Sequence, residues 1–304
     1  MRSNLFVVAV AAAAAVMCVS VNAQPDFSQL SMFEVDEVRS LYRNVRVIEG
    51  GGIRCITFGR RGNMQTCIDP KQPKKMVLDY TKALMTAFYM RPEPQRVLVV
   101  GLGGGVLPLA IQQAFPGAHV DVVEIDPAVA RSAVVHFGFA ENNKLSLSVQ
   151  DGRVFVRKQR RKGMKYDVVL LDAFEQSNVP DHMTTKEFLQ ELRDILTNDG
   201  VIAANSFQGT PLVPFENATY QAVFGTIHKL DTEHGNRIIF SRMGGMPPAI
   251  DLVDRAKALS VRFSDFAIAS ESAVAAVGVI EKQIGVRPLT DQFSPGNLLL
   301  SIRP

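Results

Sequence analysis

The chain predicts an α/β fold built on a doubly wound parallel sheet, and three observations carry that expectation. From Val97 onward, runs of β-branched and aliphatic residues alternate with segments of helical periodicity, as in strands covered on both faces by crossover helices. The first run, Val97-Leu98-Val99-Val100, ends in Gly101-Leu102-Gly103-Gly104-Gly105. The second, Val120-Asp121-Val122-Val123, ends about twenty residues further on in the acid Glu124.

Strand, glycine loop, helix and acid-terminated strand together form a Rossmann-like unit. Glycines let the chain turn sharply and let a ligand approach the main chain. The free N–H groups of the following helix face the same point. A dinucleotide fingerprint needs G-x-G-x-x-G. Read from Gly101 the sixth position is Val106, and read from Gly103 it is Pro108. That disfavours NAD and FAD. G-x-G-G-G with a later acid suits an S-adenosylmethionine-type ligand, which has no pyrophosphate. The alternative is a βαβ turn with no ligand.

The elements are expected in the following order. Residues 24 to about 40 read as an irregular or short helical arm. The alternation from Val45, the break at Gly50-Gly51-Gly52, and the segments 53–58 and 64–68 around Gly59-Arg60-Arg61-Gly62-Asn63 predict an antiparallel unit of about three or four strands. Met76, Leu78, Tyr80, Ala83, Leu84, Ala87 and Phe88 stand at helical spacing, so Met76 to Met90 is expected as one amphipathic helix. Leu107–Phe115 is the helix after the glycine loop. Asp126-Pro127 starts the next, with Asp126 as N-cap and Pro127 in the first turn. Leu145–Val149 and Tyr166–Leu171 are further strands, ending at Asp151 and Asp172 respectively. Helices are expected over Val154–Arg161 and Thr185–Leu196, then a turn at Asn198-Asp199-Gly200 and a strand over Val201–Asn205. A helix over 215–226 leads to an antiparallel pair across Glu233-His234-Gly235. The resulting division is a leader (1–23), an N-terminal β unit with its linking helix (24–95), a nucleoside-binding domain (96–245) and a helical extension packed on it (246–304).

A length of 304 residues allows one large domain or one domain plus a small one. The formal charge of +3 is too small to argue for nucleic acid or membrane as a partner. The basic run 157–162 reads as a solvated helix face. Arg2, the apolar stretch Leu5–Val21 and Val21-Asn22-Ala23 form a signal-peptide pattern with cleavage after Ala23, which would make the protein exported. An uncleaved membrane anchor is the alternative. Export would leave Cys55 and Cys67 in an oxidising compartment. A hairpin turn centred on Arg61 sets them opposite each other, within reach of a disulfide; two reduced core cysteines is the other reading. His119, His136, His182, His228 and His234 show no metal spacing, and no metal is expected. Asn217-Ala218-Thr219 is a glycosylation sequon, meaningful only in a eukaryotic secretory route.

In an open α/β sheet the ligand sits beyond the carboxyl ends of the strands. Three acids stand at such ends. Glu124 suits the ribose hydroxyls and Asp151 the adenine amine. Asp172 suits the reactive end, where it would orient or deprotonate an amine. Gly101, Gly103, Gly104, Gly105, Asp126 and Gly152 complete the expected binding set.

The segments 97–105, 123–127, Asp151-Gly152 and Tyr166-Asp167-Val168-Val169-Leu170-Leu171-Asp172-Ala173-Phe174 resemble the spermidine/spermine synthase superfamily, most of all its bacterial spermidine synthase-like branch. They are also similar to elongation-factor lysine methyltransferases. Residues 40–45 and 289–295 fit that branch too. The resemblance implies a small β-domain, a Rossmann-like domain and aminopropyl transfer from decarboxylated S-adenosylmethionine to putrescine. Glu124 would then bind ribose, Asp151 adenine, and Asp172 would be the catalytic carboxylate; a homodimer is also implied. Three positions depart from the pattern. Gly104 replaces an aspartate that holds the donor amine, and Glu175 replaces a second aspartate. Tyr80-Thr81-Lys82 replaces a Tyr-His/Gln-Glu segment, and Lys82 is expected to repel a cationic diamine. The functional expectation is a transferase using S-adenosylmethionine or its decarboxylated form. The alternatives are an exported, non-catalytic nucleoside-binding protein and a protein lysine methyltransferase.

Overall fold

The computed structural model describes residues 24–59, 64–174 and 179–295. The leader, the hairpin tip around Arg61 and Glu175 lie outside them. The chain begins with four antiparallel strands in sequential order: β1 (Phe33–Arg39), β2 (Asn44–Gly50), β3 (Ile53–Phe58) and β4 (Met64–Ile68). The segment expected as an irregular arm therefore holds only a short 3-10 turn, Phe27–Gln29, before it enters the sheet as β1. Cross-strand pairing with β2 decides this, since Val38 faces Val45. Cys55 lies directly opposite Cys67 and the two form a disulfide. The bond closes a loop with a sequence separation of 12, so a Cys55→Ala/Cys67→Ala variant should lose about 3 kcal/mol of stability. Denaturant unfolding measures this, and an unchanged midpoint would show that the bond contributes nothing.

Next come α1 (Asp79–Leu84) and α2 (Ala87–Met90). The sequence expectation of one continuous helix here is corrected. Hydrogen bonds of the i→i+3 kind, from Thr86 N–H to Ala83 O and from Phe88 N–H to Met85 O, tighten the chain between the two pieces. Ala83 through Met85 and Ala87 through Met90 are all buried, so packing on every side overrides the amphipathic period.

The second sheet has eight strands in the order β12-β10-β11-β9-β8-β5-β6-β7. These are β5 (Arg96–Val100), β6 (His119–Glu124), β7 (Leu145–Val149), β8 (Tyr166–Leu171), β9 (Leu196–Phe207), β10 (His228–Asp231), β11 (Asn236–Arg242) and β12 (Gly278–Val279). Strands β5 to β9 are parallel, and β10, β11 and β12 close one edge antiparallel. Helices cover both faces: α3 (Val106–Ala114), α4 (Pro127–Phe137), α5 (Gly152–Arg161), α6 (Lys186–Arg193), α7 (Val213–Phe224), α8 (Ala249–Phe263) and α9 (Ser270–Ala275). In β5, Val97 and Val99 enter one core with Phe88, Ile111 and Phe263, while Leu98 and Val100 enter the other with Phe155, Phe188 and Leu192. The period-two split explains why this strand is apolar throughout.

Two further expectations change. Asn198-Asp199-Gly200 is part of β9, not a turn before it; the extra residues form an irregularity between the Tyr166–Leu196 and Val168–Val201 pairs. The tail after 246 is helical only through α9. It then adds β12 to the sheet edge and runs back so that Asp291 receives hydrogen bonds from Arg153 at 2.7 and 2.8 Å.

The strand order reverses between β5 and β8, which makes their carboxyl ends the switch point of the sheet. The local sequence then places the site. Asp126 caps α4, accepting from Ala128 N–H at 2.9 Å. Asp151 caps α5, accepting from Val154 N–H at 2.8 Å.

Candidate active site

A cleft of about 900 Å³, open mouth included, lies over that switch point. Gly101, Gly103, Glu124, Asp151, Gly152 and Asp172 all line it, so six of the residues expected from the sequence converge. Gly104, Gly105 and Asp126 stand behind the lining. Asp126 is fully buried; it receives the Ser40 hydroxyl at 2.7 Å as well as its own helix N–H. Its work here is to fasten the small sheet to the large one.

The glycine loop is shaped by close approaches. Gly101 has φ +100°, and a Cβ there would lie 2.1 Å from the Asp172 carbonyl oxygen. Only glycine allows β5 and β8 to end this close together. At Gly104 a Cβ would meet Phe137 Cδ1 and Thr66 Cγ2, each at 2.7 Å. The Gly104 N–H donates to Thr66 Oγ1 at 3.0 Å, so β4 of the small sheet closes the back of the loop.

Glu124 accepts from Leu102 N–H at 3.0 Å and from Asp126 N–H at 2.9 Å. Both carboxylate oxygens are thereby aimed by backbone. Burial pushes its carboxyl above the ordinary value against those two hydrogen bonds. Asp172 accepts from Asn205 Nδ2 at 2.9 Å. The Tyr80 hydroxyl stands against two acceptors, the Asp172 carboxylate and the Gln65 carbonyl, and donates to the latter. Burial raises the Asp172 carboxyl to about 7; Asn205 and Tyr80 oppose this and the charge of Glu124 adds to it. Such a group is half ionised near neutrality, which suits a proton acceptor. Tyr80 itself is pushed well above its ordinary value, first by burial and then by the Asp172 charge. Asp151 Oδ2 pairs with His182 Nε2 at 3.0 Å, and His182 also lines the cleft.

A second cleft of about 950 Å³ shares Gln65, Tyr80 and Phe174 with the first and adds Leu78, Phe207, Asn205, Asn236 and His234. Asp172 thus lies in the first cleft with its partner Asn205 in the second. Lys82, expected to repel a diamine here, lines neither cleft and pairs with Asp79 at 3.4 Å. Asp79 also holds His234 Nδ1 at 2.6 Å. Asp79, Glu233 and His234 gather close enough for a metal ion, but the Lys82 ammonium on the same carboxylate opposes a cation. The Asn217 sequon is buried, with its Oδ1 accepting from Arg237 at 2.8 Å. The folded chain therefore presents no side chain for glycosylation there.

Sequence reasoning did not find Arg43, Gln65, Thr66, Asn205 or Asn236. Arg43 lines the cleft, lies 4.4 Å over the Phe58 ring and donates to the Phe174 carbonyl at 2.7 Å. It makes that bond across a sequence separation of 131, and no local motif announces such a contact.

The eight-stranded sheet, its glycine loop and the acids at its strand ends define a Rossmann-like protein of the methyltransferase type. Residues 79–220 match the spermine/spermidine synthase domain. The chain is 38% identical over 272 residues to the polyamine aminopropyltransferase of Vibrio vulnificus, covering 87% of this chain and 91% of that one. The chain belongs to the spermine/spermidine synthase family. A shorter match, 34% identical over 141 residues, joins it to the eEF1A lysine and N-terminal methyltransferase of Xenopus laevis, of which it spans 20%. Among solved structures it is similar to a probable spermidine synthase from Corynebacterium glutamicum, with TM-score 0.66 and 17% identity over 85% of this chain and 97% of that one. It is also similar to human methyltransferase-like protein 13 in complex with SAH, with TM-score 0.57 and 27% identity over 62% of this chain and 93% of that one.

Proposed function

We propose that the chain is an aminopropyltransferase that uses decarboxylated S-adenosylmethionine and a small aliphatic amine. The observation that carries this reading is the position of Asp172. It stands between a nucleoside-sized cleft and a second cleft, with a carboxyl near half-ionisation. In this reading Glu124 takes the ribose hydroxyls, Asp151 with His182 takes the adenine edge, and the apolar walls Leu78 and Phe207 take the methylenes of the acceptor. Asp172 accepts a proton from the acceptor ammonium. The freed nitrogen then forms a bond to the donor carbon as the carbon–sulfur bond breaks and its electron pair returns to sulfur. Methylthioadenosine leaves.

A second reading, methyl transfer from the carboxylated donor, is favoured by the wall around Gly104. Gly104 itself offers no carboxylate to hold a donor amine, and Thr66 and Phe137 fill the space behind it. Calorimetry with S-adenosylmethionine, its decarboxylated form and methylthioadenosine separates the readings. Selective binding of the decarboxylated donor, followed by spermidine formation from putrescine, is expected. Binding of the carboxylated donor alone would favour methyl transfer, and binding without turnover a nucleoside-binding protein. Failure of all three ligands to bind would end every version of the proposal. We also propose export of the chain, supported by the leader pattern and the disulfide; detection of the intact leader on cytoplasmic protein would argue against it.

A further inference from the structure

Asn205 and Asn236 lie on neighbouring antiparallel strands, β9 and β11. Asn205 pairs in register with Ile238, two residues from Asn236. A two-residue offset keeps both side chains on one face of the sheet. Their amides form a chain to the site: Asn236 Nδ2 donates to Asn205 Oδ1 at 3.0 Å, and Asn205 Nδ2 donates to Asp172 Oδ1 at 2.9 Å. Asn205 is buried.

With Asp172 ionised, the order of donors and acceptors in this chain is forced. An ionised carboxylate only accepts, so Asn205 must turn its NH2 toward Asp172. That leaves the Asn205 carbonyl facing Asn236, which must then supply an N–H. Without Asn236, the Asn205 amide could rotate and present its oxygen to the carboxylate. The Asn236 backbone is itself fixed: its N–H donates to Thr232 Oγ1 at 3.2 Å, and its carbonyl accepts from Gln208 Nε2 at 2.6 Å.

We propose that Asn205 and Asn236 form a positioning pair that sets the direction of the Asp172 carboxylate toward the acceptor and holds it in its proton-accepting form. This deepens the transferase reading and rests on it for the word acceptor, but the effect on Asp172 can be measured without any turnover. The titratable groups facing Asp172 are Glu124 at the end of β6 and Tyr80 on α1. His234, in the second cleft, pairs with Asp79. Tyr80 also hydrogen-bonds to the Asp172 carboxylate and stays in place in every variant below, so the comparison reads the amide pair alone.

The test is a pH titration of the Asp172 carboxyl by carbon-13 NMR on the full chain without ligand, with the signal assigned by its loss in Asp172→Asn. Asn236→Leu adds no charge, keeps the branched shape and number of side-chain heavy atoms, and removes the donor. It should move the Asp172 midpoint upward by about one pH unit. Asn205→Ala should do the same, with Asn205→Ser used where the alanine variant does not fold. In the double variant the shifts should not add, because both act through one hydrogen bond. Unchanged titration in a folded Asn236→Leu protein, or fully additive shifts, would overturn the proposal. If the wild-type chain transfers nothing, the proposed function fails on that result alone and the titration still decides the pair. If it does transfer, Asn236→Leu should lower the rate at pH 7 by about fivefold and recover most of it above pH 8, which a merely structural role would not produce.

Discussion

Asp172→Asn is expected to lower group transfer by about 10²–10⁴-fold while the nucleoside affinity stays within a few-fold. In the proposed reaction the carboxylate is the group that takes the proton, whereas Glu124 and Asp151 face the same cleft from other strands. The same variant should be more stable than its parent above pH 7. The folded carboxyl titrates at about 7 against an ordinary 3.8. Its protonated form is thus favoured by folding, and the stability present below pH 4 is lost as pH rises toward 7. Asp172 lies deep in the molecule yet opens on the cleft, and water there reduces the cost to about 1–3 kcal/mol. Thermal unfolding at pH 4 and pH 8 measures it, with no difference between variant and parent at pH 4 and a higher melting temperature for the variant at pH 8. Wild-type transfer should rise with pH through about 7. A rate that falls over that interval, or an Asp172→Asn protein with normal turnover, would remove Asp172 from the chemistry.

Gly104→Asp is expected to lose stability by about 1–3 kcal/mol and to gain no affinity for the decarboxylated donor. From the sequence, an aspartate at this position looked like one missing group that could be put back. The structure shows the place already taken, since a Cβ would press on Phe137 and on Thr66 at 2.7 Å. Phe137 is core, packed with Val45, Ile56 and Val129, and cannot give way cheaply. Thr66→Ala in the same chain should recover part of the lost stability by removing one of the two contacts. Unfolding and calorimetry with both donors check this. A variant as stable as its parent that bound the decarboxylated donor more tightly would mean that the loop moves to present the new carboxylate.

Most of what local chemistry dictates was legible in the sequence. Glycines at a strand end, acids one crossover apart, Asp126-Pro127 as a helix start and two cysteines across a hairpin are each readable within a short window. The misreadings arose where a distant neighbour decides. Ala83 to Met90 looked amphipathic, but it is buried from every side and breaks into two helices. Lys82 looked like part of an acceptor pocket, but Asp79 draws it away. Asn217 stands in a glycosylation sequon, but Arg237 holds its side chain inside. Asn205 and Thr66 carry no motif at all; their value comes from Asp172 and Gly104, at sequence separations of 33 and 38.

Thr66 stands one residue from Cys67 on β4, an edge strand of the small sheet. Its neighbour Gln65 takes the Tyr80 hydroxyl, while Tyr42 and Arg43 from the turn between β1 and β2, with Phe58 at the end of β3, line the first cleft. The large sheet therefore does not own its ligand site. Transplanting the glycine loop and strand-end acids alone would carry over a recognisable fingerprint with one wall missing. For anyone cutting or recombining such chains, the smallest portable part runs from the first strand to the last acid, with the covalent staple kept inside it.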